Sequence, residues 1–318
     1  MAKLPTINCL RCGKELGSKE FNPTSKGGAP YASSYKTCLR KCEECGLGFS
    51  NASSNCVNDL TVIYRDPFWN VPASIAEGYE FTLKHAINVV NRRSKRVKFT
   101  SSKSEDHVTW TVFRCLQTQG RVRDAISKVG IEFAHFAIGE PTLLLWGVPV
   151  PKEDRLGKGV RTKLENALDG IGEEPNRRSE PDVILDLGTA GLVFIEVKLW
   201  SKNDTKEHDY EGWGKYLTSS EFFLDFEKLR HSGLYELARN WRIACEMANG
   251  RPVALVNLGP ADLFKNDRKG RLPDFLESLR QSPARRFLKL TWTSFLEAIP
   301  NKPEWFNQYI QDRGLINL

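Results

Sequence analysis

The sequence predicts an α/β protein: a mixed β-sheet flanked by helices, preceded by a small cysteine-rich module. Apolar periodicity and turn residues between positions 104 and 259 predict the order helix, strand, helix, strand, strand, insertion, helix, strand. Two of the strands, "PDVILDL" and "LVFIEVKL", are apolar on both faces, which is typical of central strands. Most of the cysteines lie before residue 57, in a stretch with little apolar periodicity.

The composition is that of a folded protein with a positive charge. The chain has 318 residues, room for one large domain or two smaller ones, and its 40% hydrophobic content is enough for a core. The net charge of +7 suits an anionic partner. We see no apolar leader segment and no apolar run near the ~18 residues of a membrane span. The expectation is a soluble cytoplasmic protein with no membrane partner.

Two short cysteine motifs near the N-terminus have the spacing of a metal site. "CLRCG" at 9–13 and "CEECG" at 42–46 are both C-x2-C-Gly knuckles. Each knuckle can give two thiolates to one tetrahedral Zn²⁺, so the predicted ligands are Cys9, Cys12, Cys42 and Cys45. Paired knuckles of this kind resemble a zinc ribbon. Residues 1–58 are therefore predicted to be a zinc-ribbon-like domain that needs its metal to fold.

The other cysteines leave alternatives open. Cys38 and Cys56 could join Cys42 and Cys45 in a different four-cysteine site for zinc or an iron–sulfur cluster. "CLRKCEEC" also has the C-x3-C-x2-C spacing of radical-SAM enzymes, which we disfavour because no (β/α) barrel follows. Free structural thiols are a third interpretation. Cys115 and Cys245, in helical segments, are interpreted as buried apolar fillers.

Residues 59–102 are predicted to be a basic connector, and residues 103–318 the main domain. The connector contains a predicted helix near 81–92 and the run "RRSKRVK" at 92–98, which either contacts DNA or forms a solvated face. In the main domain, Ser104 is the predicted N-cap of a helix. The other predicted elements are strands at 142–150 and 251–259, helices at 161–171 and 232–250, and a strand in "RFLKLTW".

Three charged residues stand out in the apolar hairpin at 177–200: Asp182, Glu196 and Lys198. Side chains alternate along a strand, so Glu196 and Lys198 share a face. A three-residue loop, 189–191, would place Gly191 in a left-handed conformation, Gly188 opposite Leu192, and Asp182 opposite Lys198. Glu196 would then be diagonal to Asp182, roughly 7–8 Å away. A four-residue loop would turn Asp182 to the other face, so we predict an odd-length loop or a bulge.

Buried charges of this kind are costly unless they are paired or bind an ion. Asp182 and Glu196, with the backbone carbonyl of Val197, could hold one Mg²⁺ or Mn²⁺. Lys198 could direct its ammonium at a water molecule or a scissile phosphate. Carboxylates, a divalent metal and a lysine are what phosphodiester hydrolysis needs. The alternative is a buried salt bridge with no metal.

The pattern "PD" followed by "EVK" resembles that of the PD-(D/E)XK nuclease superfamily, which includes many restriction enzymes. That family has a core of order α-β-β-β-α-β, with Asp on the second strand and E-x-K on the third. The resemblance covers residues 104 to 260, and it implies a restriction-endonuclease-like fold. It further implies that Asp182 and Glu196 are metal ligands, that Lys198 is catalytic, and that Glu105 is a helper ligand or water-orienting acid. Arg239, in "LARN", is implied to lie near the active site.

The sequence departs from the family pattern in two places: a helix at 161–171 between the first two strands, and an insertion at 201–231. Glu105 could instead interact only with the helix dipole, and Arg239 could be structural. The function implied by the resemblance is a metal-dependent endonuclease that acts on DNA, of restriction or phage-defence type, working as a homodimer or with a defence or repair partner. A repair or transposition nuclease remains an alternative, as does a non-catalytic zinc-dependent module that binds DNA or protein.

Overall fold

The computed structural model describes residues 2–21, 34–151, 155–265 and 271–317. The chain divides into two compact units, one made of residues 1–77 and 91–111, the other of residues 78–90 and 112–318. The sequence predicts a different division, into domains at 1–58, 59–102 and 103–318, and that division stays a prediction.

Among the described residues, none of the helices has both the length and the apolarity that a membrane span requires.

The first unit consists of short strands around a small apolar core. Its strands are β1 (Ala2–Leu4), β2 (Ile7–Asn8), β3 (Glu15–Leu16), β4 (Lys19–Phe21), β5 (Arg40–Cys42), β6 (Leu47–Phe49) and β7 (Val62–Tyr64). β1 pairs with β4, β2 with β3, and β5, β6 and β7 form an antiparallel meander. The core contains Ile7, Leu16, Leu47, Phe49 and Leu60 beside cysteines. So few apolar side chains supply little free energy of folding.

The connector has two short helices where the sequence predicts one. The single helix near 81–92 is wrong, because α1 (Tyr79–His85) ends well before that span does and α2 (Arg92–Lys98) begins only at its last residue. α2 lies in the first unit and contains the basic run. Its Lys95 is buried, with Nζ 2.6 Å from Oδ1 of Asp106, so this lysine belongs to an ion pair and not to a solvated face.

The helix predicted after Ser104 is confirmed as α3 (Glu105–Thr118). Ser104 Oγ accepts a hydrogen bond from the backbone N–H of His107 at 3.2 Å, which is the predicted N-cap. Residues up to 111 of α3 belong to the first unit and the following ones to the second.

The second unit is a six-stranded mixed sheet with helices. Its strands are β8 (Thr142–Leu145), β9 (Val148–Val150), β10 (Val183–Asp186), β11 (Leu192–Val197), β12 (Val253–Gly259) and β13 (Arg285–Thr291). Its remaining helices are α4 (Val122–Lys128), α5 (Arg155–Ile171), α6 (Trp213–Tyr216), α7 (Phe226–Ser232), α8 (Tyr235–Ala248), α9 (Ala261–Lys265), α10 (Arg271–Ser278), α11 (Trp292–Ala298) and α12 (Glu304–Asp312). The mixed sheet flanked by helices confirms the predicted α/β class.

The sheet has the order β13-β12-β11-β10-β8-β9. β12 runs parallel to β11 and β13, and the other neighbours are antiparallel. The strand predicted at 142–150 is wrong as a single element, because the chain reverses at Trp146 and Gly147, with φ of 51° and 75°. Two successive residues with positive φ make the kind of tight turn that joins hairpin strands, and β9 pairs back on β8. "RFLKLTW" is confirmed as strand β13.

The helices predicted at 161–171 and 232–250 correspond to α5, which starts earlier, and α8, which ends at Asn249 with φ of 49°. Side chains of both helices form one buried cluster with one face of the sheet. It includes Leu164, Leu168, Trp241, Ala244, Leu144, Ile184 and Phe194. Glu196 lies two residues beyond Phe194 in β11, so the side chain of Glu196 is on the same face, next to α8.

Candidate functional site

The hairpin of β10 and β11 sets the position of the predicted carboxylates. Asp186 pairs with Leu192, so the connection has an odd number of residues, as predicted. The predicted pairing of Gly188 with Leu192 is wrong, because residues 188–190 form a short 3-10 turn. Arg251 holds this turn: its NH1 lies 2.8 Å from Asp186 Oδ1 and donates to the carbonyl of Gly188 at 2.7 Å.

The observed register of the hairpin brings the carboxylates of Asp182 and Glu196 closer together than the predicted register would. Val183 pairs with Ile195, so one further step places Asp182 opposite Glu196, and the predicted opposition of Asp182 and Lys198 is wrong. Asp182 Oδ2 accepts a hydrogen bond from the backbone N–H of Val197 at 2.8 Å. Opposed residues share a face, with Cβ atoms roughly 4.5–5.5 Å apart. Asp182 and Glu196 are therefore direct cross-strand neighbours.

Glu196 is buried, at 4% exposed, and both of its oxygens have partners. Oε1 lies 2.7 Å from Nζ of Lys198, and Oε2 accepts a hydrogen bond from Nδ2 of Asn240 at 2.7 Å. The buried salt bridge considered as an alternative is thus present. Each carboxylate oxygen has a second lone pair, so these contacts still allow Glu196 to ligate a cation.

Lys198 lies between two carboxylates. Its Nζ is 2.6 Å from Glu236 Oε2 as well as near Glu196. Its backbone is fixed on both sides, since its N–H donates to the carbonyl of Leu258 at 2.7 Å and its carbonyl accepts from Trp292 Nε1 at 2.9 Å. The ammonium group is consequently held in one place at the end of β11.

Two residues of this site, Glu236 and Asn240, were missed by the sequence analysis. They lie four positions apart on α8, on one face of the helix. Arg239, which the resemblance singled out, lies beside them: its NH2 is 3.9 Å from Glu236 Oε1, and its Nε donates to Asn240 Oδ1 at 3.5 Å. No local pattern marks Glu236 and Asn240, since polar residues of a helix most often face solvent.

The first residues of the insertion also line the site. Asn257 pairs with Glu196 across β11 and β12 and is fully buried. Its side-chain amide exchanges hydrogen bonds of 3.0 and 3.1 Å with that of Asn203. The backbone N–H of Asp204 donates to Glu236 Oε2 at 3.1 Å. The carboxylates of Glu196 and Glu236 thus accept hydrogen bonds from the Asn240 amide and the Asp204 backbone, while the Asn203–Asn257 pair lies on the neighbouring strand and loop.

Burial and the charges in this network raise the pKa of Glu196 and of Lys198 and lower the pKa of Glu236. Burial, and then the nearby charge of Glu236, raise the pKa of Glu196 to about 7 in spite of Lys198. Burial also opposes ionisation of Glu236, but Lys198 and Arg239 outweigh it and lower the pKa of Glu236. Burial alone would lower the pKa of Lys198, yet Glu196, Glu236 and Asp182 together raise it. Near neutral pH, Lys198 is charged, Glu236 is ionised, and Glu196 titrates.

This arrangement predicts a pH dependence of stability that belongs to Glu196. Its pKa is raised on folding, so the folded state binds more protons than the unfolded state, and the free energy of unfolding falls as the pH rises from its unfolded pKa to above about 7. We expect the melting temperature of the metal-free wild type, relative to that of Glu196→Gln, to fall by several degrees from about pH 5 to about pH 8. Calorimetry of both proteins measures it; a constant difference would contradict the raised pKa.

Glu105 belongs to the first unit, where it is the first residue of α3. Its backbone carbonyl accepts a hydrogen bond from Thr109 Oγ1 at 2.8 Å. An acid in the first turn of a helix interacts favourably with the helix dipole. The role of Glu105 as a helper ligand stays a prediction.

The four cysteines predicted as zinc ligands are brought together. The sulfurs of Cys9, Cys12, Cys42 and Cys45 all lie within 4.8 Å of one another. In each knuckle the glycine has positive φ, 72° at Gly13 and 62° at Gly46, and its N–H donates to the carbonyl of the first cysteine. A Cβ at Gly46 would overlap the ring of Trp69. The C-x2-C-Gly pattern therefore shapes both turns, and the four thiolates fit a tetrahedral Zn²⁺.

Hydrogen bonds within the cluster shift the pKa values of two thiols in opposite directions. A hydrogen bond from the backbone at Lys14, followed by one with Cys45, lowers the pKa of Cys12 to about 7, whereas the hydrogen bond with Cys12, followed by burial, raises the pKa of Cys45 to about 12. Zinc binds thiolates, so a thiol that ionises near neutral pH is ready to ligate.

The remaining cysteines are outside this cluster. Cys38 is buried against Tyr35 and Ile63, and burial raises its pKa to about 12, whereas Cys56 is exposed. In the described ranges, therefore, the alternative site that uses these two cysteines does not assemble. Cys115 and Cys245 are buried, and burial raises the pKa of each to about 12, as expected of apolar fillers.

Comparison of the chain with family models, with curated proteins and with solved structures finds no match.

Proposed function

We propose that the protein is a metal-dependent endonuclease of the PD-(D/E)XK type that hydrolyses phosphodiester bonds of DNA. The observation that carries the proposal is the convergence of three predicted residues at one end of a buried sheet face. The register of β10 and β11, extended by one residue, puts Asp182 opposite Glu196, and Lys198 Nζ lies 2.7 Å from Glu196. Charges are seldom buried in this way without a use.

The order of the elements supports the resemblance. β8, β10, β11, α8 and β12 follow one another as the family core requires, with Asp182 immediately before the second strand and the E-x-K motif at the end of the third, where Lys198 follows its last residue. The additions are β9 and α5 between the first two strands, and the insertion after Lys198.

The residues of the site suit a hard cation. Asp182, Glu196 and the carbonyl of Val197 are oxygen donors, and they would hold Mg²⁺ or Mn²⁺. The bound ion would lower the pKa of a water molecule and offset the negative charge that develops on the phosphate. Asn240 orients the Glu196 carboxylate, and Lys198, kept charged by its carboxylate neighbours, would donate hydrogen bonds to a phosphate oxygen.

The charge of the protein supports DNA as the partner. The net charge is +7, and the basic helix α2 exposes Arg93, Arg96 and Lys98 in the first unit. A restriction or phage-defence role in the cytoplasm is the setting that the resemblance favours, with a repair or transposition nuclease as the alternative. Cutting both strands with one site per chain would require a homodimer or a partner protein.

A second candidate function is a non-catalytic module that binds DNA or protein. The observation that favours it is the closed ion pair, because Lys198 and Asn240 already give both oxygens of Glu196 a partner without a metal. In that case the carboxylates would stabilise the fold only.

The test is cleavage of supercoiled plasmid and of single-stranded DNA with Mg²⁺, Mn²⁺ or EDTA. We expect wild type to cut only with metal, and Asp182→Asn to cut about 10²–10³-fold more slowly or not at all, since it loses a ligand charge. Asp312→Asn, at an exposed position of α12, is the matched control and should cut like wild type. DNA binding by both proteins without cutting under any metal would favour the non-catalytic module instead.

A further inference from the structure

We infer that His208, Glu227 and His231 form a second metal site, one that binds a divalent transition-metal ion such as Zn²⁺. The ligand atoms of these three side chains lie within 4.8 Å of one another. They are distinct from both the carboxylate site and the cysteine cluster. Two imidazoles and a carboxylate are ligands that zinc uses with water completing its coordination.

The ligands come from two elements that the fold brings together. Glu227 and His231 are four positions apart on α7, so they lie on one face of the helix. His208 lies in the part of the insertion that precedes α7, with Nε2 2.9 Å from Glu227 Oε2. The rings of the two histidines have centroids 4.5 Å apart. Ligands of one ion with bonds near 2.0–2.1 Å lie roughly 3 Å from each other, so these spacings need only small adjustments.

The tautomer of His231 is fixed by its surroundings. Its Nδ1 lies 2.8 Å from the backbone carbonyl oxygen of Glu227. A carbonyl oxygen can only accept, so Nδ1 carries the proton and Nε2 has the lone pair. Histidines that bind metals are commonly oriented by a hydrogen bond of this kind on the other ring nitrogen.

The charges around the site leave it open to a cation. The nearest cation to the Glu227 carboxylate on the same helix is Arg230, whose NH1 is 3.9 Å from Oε1, the oxygen not bonded to His208. Lys228 is directed at α10, where it pairs with Glu277. The side chains of His208 and Glu227 are 43% and 67% exposed, so an ion can reach them from solvent.

Metal at this site would fasten residues 201–212 of the insertion to α7. The same segment is already held nearby, since the N–H of Lys206 donates to the carbonyl of Gly233 at 2.9 Å and Trp213 Nε1 donates to the carbonyl of Glu207 at 2.8 Å. We expect bound Zn²⁺ to slow proteolysis of residues 201–212. This consequence does not depend on whether the protein is a nuclease.

The test counts zinc ions in the full chain, with the cysteine site loaded. Calorimetric titration of wild type, with excess Mg²⁺ to fill the carboxylate site, should show a second equivalent of Zn²⁺, and His208→Ala and His231→Ala should each weaken that second equivalent at least about tenfold. All three ligands are on the surface, so neither change should unfold the chain. His135→Ala, an exposed histidine outside the cluster, is the matched control and should keep both equivalents.

Cobalt distinguishes this site from the cysteine cluster. Co²⁺ added in excess Mg²⁺ to the chain that holds one equivalent of Zn²⁺, in the cysteine site, should give visible ligand-field bands without the thiolate charge-transfer band, and these bands should be absent in His231→Ala. The inference is overturned if wild type binds one zinc ion only, or if the second ion persists in both histidine variants, which would mark it as an adventitious ion only.

Discussion

Replacing Lys198 with methionine is expected to reduce metal-dependent cleavage of DNA by about 10³-fold or more, with DNA binding largely retained. Methionine keeps most of the length of the side chain but removes the ammonium, which lies 2.7 Å from Glu196 and 2.6 Å from Glu236. If Lys198 stabilises charge that develops on the phosphate, the loss should fall on kcat, since that charge exists only in the transition state. Single-turnover cleavage of plasmid measures it.

Lys198→Met also leaves the buried carboxylates of Glu196 and Glu236 without the ammonium that pairs with them, which lowers the free energy of unfolding by about 3–5 kcal/mol. The double variant Lys198→Met/Glu236→Gln removes one of those charges and should recover part of the loss. Lys158→Met, at an exposed position of α5, is the control for removing a lysine. A folded double variant that cuts at the wild-type rate would show that Lys198 is a structural ion-pair partner and not a catalytic residue.

The charged hairpin shows what the sequence can predict about this site. The alternation of side chains along a strand places Glu196 and Lys198 on one face, and the exclusion of even-length loops places Asp182 there too. The prediction of the exact pairing was wrong by two residues. The turn at 188–190 is held by Arg251, a residue far along the chain, and no local pattern reports a tertiary contact of this kind.

The residues on α8 show why the rest of the site could not be predicted from the pattern. Glu236 and Asn240 are ordinary polar residues in a helix, and such residues most often face solvent. Only the packing of α8 on the end of β11 directs them at Glu196 and Lys198. His208 and His231 were missed for the same reason, because their meeting depends on how the start of the insertion packs against α7.

The helix predicted near 81–92 was wrong because tertiary contacts override propensity there. In the second unit, Ile87 donates its N–H to the carbonyl of Trp146 at 3.0 Å, and Asn88 Nδ2 donates to the carbonyl of Arg178 at 2.9 Å. These bonds hold the segment after α1 out of the helical conformation. The cysteine cluster, in contrast, was predicted correctly because each knuckle is set by local spacing and a glycine.

Replacing Cys42 with serine is expected to abolish zinc binding by the first unit and to unfold that unit. A structural zinc site contributes about 10–16 kcal/mol to folding in small zinc-binding peptides, and the small apolar core around Ile7, Leu16 and Phe49 cannot replace it. The effect should therefore exceed that of a typical core substitution. Metal content and hydrogen exchange of residues 2–21 and 34–64 measure it.

The matched control is Cys56→Ser, which removes an exposed thiol outside the cluster and should leave both metal content and exchange protection unchanged. Each change is made in a His231→Ala background, so that zinc bound at the histidine site is not counted. We then expect one zinc ion per chain in Cys56→Ser and none in Cys42→Ser. If Cys42→Ser kept its zinc and Cys56→Ser lost it, the ligand set would be the alternative one. Loss of zinc with full exchange protection would mean that the metal does not hold the first unit together, and that its hydrogen bonds, such as those of the buried Arg40 to the carbonyls of Ser50 and Ala52, suffice.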